Sequence, residues 1–267
     1  MQFKILGSGG AIPTPRPFCQ CKLCTLARTD SKYKRNSSCA FLEDLNLLID
    51  CPEDIADSLN KHKIKVVEKL FITHWHPDHT FGLRVLLEAN YDFIERKAKN
   101  CIIIYIAKKV YTVLKAKYPA IDYYVDVLKV AKLHFVDDQE TIEGPVSITF
   151  IGYSGKGSDY YGLLAKENNK RLLYVPCDTL HFSNYLNFNN LDILIQECGI
   201  FSEQVKTELS FPNLINRLKE IKPKQTILTH IEEIELNKWG LDYLDTLKNK
   251  YNDINFIFAH DGLTITI

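Results

Sequence analysis

The chain has 267 residues, 46% of them hydrophobic, with 33 lysines and arginines offset by 33 aspartates and glutamates. That length supports a substantial core, and a formal net charge of zero leaves no field able to hold nucleic acid by phosphate neutralisation alone. The longest apolar run, residues 102–107, falls far short of the roughly 18 to 20 residues a membrane span needs. The N-terminal MQFKILGSGG lacks the regions of a secretory leader, so a cytoplasmic protein is expected.

In chain order, apolar β-branched runs at residues 3–6, 45–49, 67–73, 101–107, 146–152, 171–176, 191–197, 226–229 and 254–259 predict buried strands. Helical patterns fall between several of them, at residues 53–60, 81–88, 108–117, 204–221 and 241–251, with Pro212 breaking or starting one. Strands and helices that interleave in this way predict an α/β fold, and residues 1–267 read as one domain. Residues 11–38 and the glycine-punctuated 153–162 read as loops, where function gathers.

The sharpest motif is THWHPDHTFG, residues 73–82, directly after the strand-like KLFI. It sets His74, His76, Asp78 and His79 in one short window where a buried strand runs out into a turn. Imidazole and carboxylate suit first-row metals, and a strand-to-helix corner can aim alternate residues at one point. The second motif is Cys19, Cys21 and Cys24, a CxCxxC in the loop after GSGGAIP. Three thiolates so spaced can wrap a tetrahedral zinc if a fourth ligand comes from elsewhere. Cys51, Cys101, Cys177 and Cys198 sit in or beside apolar runs and read as small core residues without chemistry. The basic run at residues 32–35 reads as solvated loop, Tyr160 and Tyr161 as packing, and His260-Asp261-Gly262 as a hairpin turn.

HxHxDH after a hydrophobic strand resembles the metal-binding motif of the metallo-β-lactamase fold superfamily, and other segments fit it in order. LLID ending at Asp50, YVPCDT carrying Asp178 and LTH ending at His230 resemble its later strand-end motifs. The resemblance covers nearly the whole chain and implies a four-layer αβ/βα sandwich. Carried over, it gives His74 and His76 to one metal, Asp78, His79 and His230 to a second, and Asp178 as the bridge, with Asp50 orienting the ligand loop. Asp78 is also the candidate catalytic residue. The family's further histidine for the first metal is missing, because no histidine lies between His134 and His181; Asp159, Tyr153, His181 or a water could stand in.

GSGGxxP followed by CxCxxC resembles the PhnP-like branch, which are phosphoribosyl cyclic phosphate phosphodiesterases, and the related pyrroloquinoline-quinone biosynthesis protein B branch. The histidine that closes the first branch's structural zinc site falls here on Glu233. Glu233, Glu232, Cys39, His260 or a water is then the fourth ligand. The resemblance implies a structural zinc and two active-site divalent metals, zinc or manganese with iron as a variant. It implies hydrolysis of a small cyclic or nucleotide-like phosphodiester, without strong nucleic-acid binding, by a chain that could form a homodimer. Lys156 is the candidate contact to a phosphate oxygen. The alternatives are a mononuclear iron oxidoreductase or biosynthetic protein, and a non-catalytic, zinc-stabilised binding partner.

Overall fold

The computed structural model describes residues 1–155, 157–203 and 208–267. Its first sheet has seven strands: β1 (Gln2–Gly7), β2 (Cys39–Leu42), β3 (Leu47–Ile49), β4 (Lys69–Ile72), β7 (Ile102–Ala107), β8 (Ala131–Val136) and β16 (Thr264–Thr266). A short separate hairpin, β5 (Tyr91–Asp92) and β6 (Lys97–Ala98), precedes β7. The second sheet comprises β9 (Thr141–Ile142), β10 (Ser147–Gly155), β11 (Ser158–Glu167), β12 (Lys170–Val175), β13 (Ile193–Glu197), β14 (Gln225–Thr229) and β15 (Phe256–Phe258). Each sheet is antiparallel on one side and parallel on the other: β3, β4, β7 and β8 run parallel in the first, and β12 to β15 in the second.

Residue alternation explains why two sheets stack. Along β12, Leu172 and Tyr174 enter one apolar cluster and Leu173 and Val175 another; along β14, Ile227 and Leu228 divide the same way. The first cluster lies between the sheets, where Phe3 meets Tyr174 at 5.3 Å and Phe71 meets Phe150 at 5.0 Å between ring centroids. The helices are α1 (Lys22–Ala27), α2 (Ile55–Lys61), α3 (Pro77–Thr80), α4 (Leu83–Glu88), α5 (Lys108–Lys117), α6 (Phe211–Ile221), α7 (Glu233–Trp239) and α8 (Tyr243–Lys250). The buried faces of α2, α4 and α5 pack with the first sheet, and α6 brings Phe211, Leu214, Ile215 and Leu218 to the other face of the second. The order helix, sheet, sheet, helix is the expected four-layer αβ/βα arrangement.

Several local expectations are corrected. Residues 153–162 are not an open loop: β10 and β11 pair from Ser147 with Lys166 down to Gly155 with Ser158, and only the tip turns. The loop at 11–38 contains α1, capped by the Cys21 sulfur accepting from the Cys24 amide. Strand β2, fully buried, is not among the expected strands, and β8 escapes the pattern because most of its residues are not buried. The expected helix at 204–221 begins at Phe211, with the Ser210 hydroxyl capping it and Pro212 in its first turn; residues 204–207 lie outside the described residues. His260-Asp261-Gly262 does not close a hairpin, because β15 belongs to one sheet and β16 to the other. Asp261 there accepts from the Ser8 and Asn36 amides at 2.9 Å each and so ties the crossing to the end of β1.

The GSGG segment leaves β1 pressed against its neighbours. A Cβ on Gly7 would sit 1.9 Å from the Ser37 carbonyl oxygen and 2.9 Å from that of Asn36. Beyond it, Ser8 accepts from the Ile231 amide at 3.0 Å and Gly10 donates to the Ile231 carbonyl at 3.1 Å, which braces the turn after β14. Gly7→Ala is expected to lower unfolding free energy by about 1 to 3 kcal/mol, the usual cost of forcing atoms into packed backbone. Urea denaturation checks this, and a change under about 0.5 kcal/mol would contradict the close approach.

Candidate metal centre

The predicted site residues stand at the carboxyl ends of parallel strands, where open α/β sheets bind ligands. Asp50 follows β3, Thr73 and His74 follow β4, Cys177 and Asp178 lie just past β12, Glu197 ends β13, and His230 follows β14. Asp50, Asp178 and His230 have left-handed backbones, with φ of +65°, +51° and +54°. Glycine would adopt these angles with less strain but would delete a carboxylate or imidazole each time, and such strain collects at functional sites.

Asp50 is fully buried. Its carboxylate accepts from the Thr73 amide and hydroxyl at 2.9 Å each and lies 2.7 Å from His79 Nδ1. The Thr73 hydroxyl in turn lies 3.0 Å from His74 Nδ1. Both buried imidazoles are thus engaged at Nδ1, which leaves Nε2 of each turned inward, the arrangement by which outer carboxylates orient metal-binding histidines. Pro77 starts α3 directly after His76, and the single turn carries Asp78 and His79 into the cleft.

Two groups of potential ligands converge there. Asp78, His79 and His230 form one, with Asp78 Oδ2 at 3.3 Å from His79 Nε2 and 3.7 Å from His230 Nε2. His74, His79 and Cys177 form the other, so His79 belongs to both. His76 Nδ1 lies 3.1 Å from His74 Nε2 at the rim. The buried Nε2 atoms of His79 and His230 make no hydrogen bond, and neither does Asp178 Oδ1. Burial alone would lower His79 and His230, but Asp78 and Asp50 around the first and Cys177 and Asp78 around the second hold both well above the usual imidazole value. Burial alone would raise Asp78; His79 and His230 hold it well below the carboxylate range. The unpartnered ring nitrogens beside the Asp78 carboxylate fit a divalent cation, which would displace the protons that these imidazoles otherwise hold.

The remaining predicted residues fall out unevenly. Asp178 is buried and lines the same cleft, but neither convergent group includes it: its Oδ1 lies 3.5 Å from where a Cβ on Gly155 would sit. None of the protein stand-ins for the missing histidine is in place. Tyr153 donates its hydroxyl to the Cys177 carbonyl at 2.5 Å, Asp159 pairs with Lys109 at 3.7 Å, and His181 is exposed. Lys156 lies outside the described residues.

Cys177 corrects its reading as an inert core residue. It sits in the cleft, where burial would raise its thiol but His230 and His74 hold it well below the ordinary value. Its adjacency to a strand-end aspartate in YVPCDT was the available cue. Two further residues gave no cue. Glu197 accepts from the Thr179 amide and, at 2.7 Å, from its hydroxyl, and buried Arg217 donates to the Thr179 carbonyl at 2.9 Å. Together they clamp the turn that carries Cys177 and Asp178. Tyr160, read as packing, is buried with its ring 4.8 Å from that of His74.

The cysteine loop forms a separate site. Glu233 Oε1 lies 3.6, 3.5 and 3.1 Å from the sulfurs of Cys19, Cys21 and Cys24, and its side chain is buried. The other candidates for fourth ligand are elsewhere: Cys39 is buried in β2, His260 is exposed, and Glu232 faces His230 Nδ1 at 3.4 Å. Amides of Arg16 and Cys24 donate to Cys24 and Cys21 sulfur at 3.2 and 3.3 Å, which favours thiolates. Burial pushes the Cys24 thiol up to about 12, so in the absence of a cation the charged form is strongly disfavoured.

A two-sheet αβ/βα sandwich with a histidine- and aspartate-lined cleft at its strand ends defines the class of a metal-binding hydrolase. The β-lactamase superfamily domain matches residues 45–231, well over half of the chain, and the chain belongs to that superfamily. It is 34% identical over 87 residues to ribonuclease Z of Clostridium tetani, an alignment spanning 31% of this chain and 22% of that protein. Among solved structures, a diphosphatase of the PhnP family is similar with a TM-score of 0.77 and 21% identity, over 100% of this chain and 97% of that one. Zinc-bound PqqB of Methylobacterium extorquens is similar with a TM-score of 0.78 and 17% identity, over 100% of both chains. The short form of human tRNase Z is similar at 0.67 and 19%, over 100% and 99%. These likenesses show the same fold.

Glu233→Ala removes the oxygen at the centre of the three sulfurs and is expected to weaken metal retention at the cysteine loop by at least about 10-fold. Elemental mass spectrometry after dialysis against a chelator reads this. Retention equal to the parent chain would show that another group completes the site.

Proposed function

We propose that this chain is a metal-dependent phosphodiesterase acting on a small cyclic or nucleotide-like phosphodiester. The observation that carries the reading is the lining of the cleft. Asp78, Asp178, Glu197, Glu208 and Glu232 face it, and no lysine or arginine does among the described residues. Such a surface repels a phosphate unless cations held by the same residues invert its charge. The cavity of about 320 Å³ suits a small molecule, and the formal net charge of zero argues against a long polyanion as the main substrate.

His74 and His76 would hold one cation and Asp78, His79 and His230 the second. When bound, two divalent cations supply an acidified water as nucleophile and neutralise charge on the attacked phosphorus. The chain's own residues do the placing. Asp50 fixes the ring of His79 through Nδ1, and Thr73 fixes that of His74. Glu232, beside His230 Nδ1, orients the third imidazole in the same way. Burial pushes the Glu197 carboxyl up to about 7, with Cys177 adding to it, and the bonds it accepts from Thr179 keep the turn rigid behind the cleft. Tyr160 closes one wall against His74 and keeps bulk water off that side.

The names of the similar proteins agree on phosphate chemistry where they state it, since diphosphatase and ribonuclease Z both cleave phosphate bonds. The missing third histidine favours one second reading, a single-metal oxidoreductase or biosynthetic protein like PqqB, which the fold equally permits. All eight cysteines are free, as suits a reducing cytoplasm, and among the described residues no helix is long and apolar enough to cross a membrane. The zinc of the cysteine loop would be structural, and a homodimer is compatible with this reading.

Asp78→Ala is expected to lower kcat/KM for cyclic phosphodiesters by about 1,000-fold or more, because it removes a charged ligand and the transition-state stabilisation that depends on it. Chelation should abolish turnover, and zinc or manganese should restore it. Unchanged hydrolysis in the variant would refute the reading, and substrate-dependent oxygen consumption by iron-loaded protein would favour the alternative.

A further inference from the structure

We propose that Cys177 is itself an active-site metal ligand, its thiolate filling the coordination place that the absent histidine leaves and lying where it can reach both metal positions. The inference rests on the dinuclear reading above and adds a ligand and a metal preference to it. The sulfur of Cys177 and one nitrogen each of His74 and His79 lie within 4.8 Å of one another. Because Nδ1 of His74 faces Thr73 and Nδ1 of His79 faces Asp50, the nitrogens turned to the sulfur are the two Nε2 atoms. Ligand atoms around one tetrahedral zinc stand about 3.4 to 3.8 Å apart, by Zn–N and Zn–S lengths of about 2.0 to 2.3 Å, so the sulfur needs only a small closure to join His74 Nε2 on the first ion beside the one that His79 Nε2 holds.

Three further observations support the assignment. The Nε2 atom of fully buried His79 has no hydrogen-bond partner although it faces this space. Of the protein groups that could otherwise replace the missing histidine, Tyr153 donates to the Cys177 carbonyl, Asp159 pairs with Lys109, His181 is exposed, and none belongs to a convergent group of donors. The thiol is also held in place. The Tyr153 bond fixes its own carbonyl, and two residues further on Thr179 is bound by Glu197 and Arg217. Asp178, the next residue of the same turn, also lines the cleft but belongs to neither convergent group of donors.

The chemical consequence is metal choice. A thiolate is a soft ligand that favours zinc or cobalt over manganese and magnesium. The active site should therefore take zinc in preference to manganese, which the histidines and carboxylates alone would not enforce.

The test compares the full chain with Cys177→Ser and Cys177→Ala, each loaded with zinc or cobalt, dialysed, and assayed for metal content. The parent chain should retain about three ions and the variants about two, with the cysteine-loop ion kept as the internal check on folding. With cobalt, the parent-minus-Cys177→Ser difference spectrum should show a thiolate-to-cobalt charge-transfer band, since Cys19, Cys21 and Cys24 contribute equally to both. On the parent chain alone, iodoacetamide labelling read by peptide mass spectrometry should spare Cys177 until the active-site metal is chelated. Equal metal content with no difference band, or labelling of Cys177 that ignores metal, would overturn the assignment while leaving the dinuclear reading intact. A parent chain that holds only the cysteine-loop ion would overturn both.

Discussion

A fully buried carboxylate, Asp50, is the constraint on which the site depends. The parallel register of β3 with β4 pairs Ile49 with Phe71, and the Asp50 amide continues the ladder by donating to the Phe71 carbonyl at 2.9 Å. The side chain then meets Thr73 and His79 together. Burying such a charge is tolerable only when hydrogen bonds and opposite charge surround it. Those partners are the residue just before the HxHxDH segment and the histidine that ends it. The same carboxylate that would be costly in an apolar core therefore fixes the ligand loop, and through it the tilt of two imidazoles.

The second sheet supplies the opposing wall by the same logic. Its parallel strands end at Val175, Glu197 and Thr229, and each delivers a polar group where the backbone ladder stops. Left-handed backbones at Asp178 and His230 turn the chain back at those ends. The strain is sustained because neighbouring elements fix both turns: Arg217 and Glu197 hold Thr179, and the segment after Gly7 holds Ile231. What results is a cleft whose carboxylates outnumber its cations. Divalent cations bound there would neutralise that excess of negative charge.

Much of this was legible in the sequence. The spacing of His74, His76, Asp78 and His79 after KLFI located the ligand turn, because a strand end followed by proline admits few other conformations. The clustering of Cys19, Cys21 and Cys24 located the second site. The rest depended on contacts far apart in the chain. Glu233 meets the cysteine loop across more than 200 residues; its place in the resembling branch made it one of several candidates for the fourth ligand, and only the folded contact separates it from Glu232, Cys39 and His260. Cys177 looked like one more cysteine beside an apolar run, and only the approach of the two sheets sets its sulfur beside His74 and His79. The long hairpin of β10 and β11 was hidden because its glycines suggested a loop, although Gly162 lies within the paired strands.

The account stands on two adjacent metal positions, one at His74 and His76 and one at Asp78, His79 and His230. Anomalous diffraction from crystals of the zinc-loaded chain tests this most directly. The account predicts a pair of peaks about 3.5 to 4 Å apart at the strand ends, bounded by His74, His76 and Cys177 on one side and by Asp78 and His230 on the other, with a third peak among Cys19, Cys21, Cys24 and Glu233. A single peak confined to the cysteine loop would contradict it.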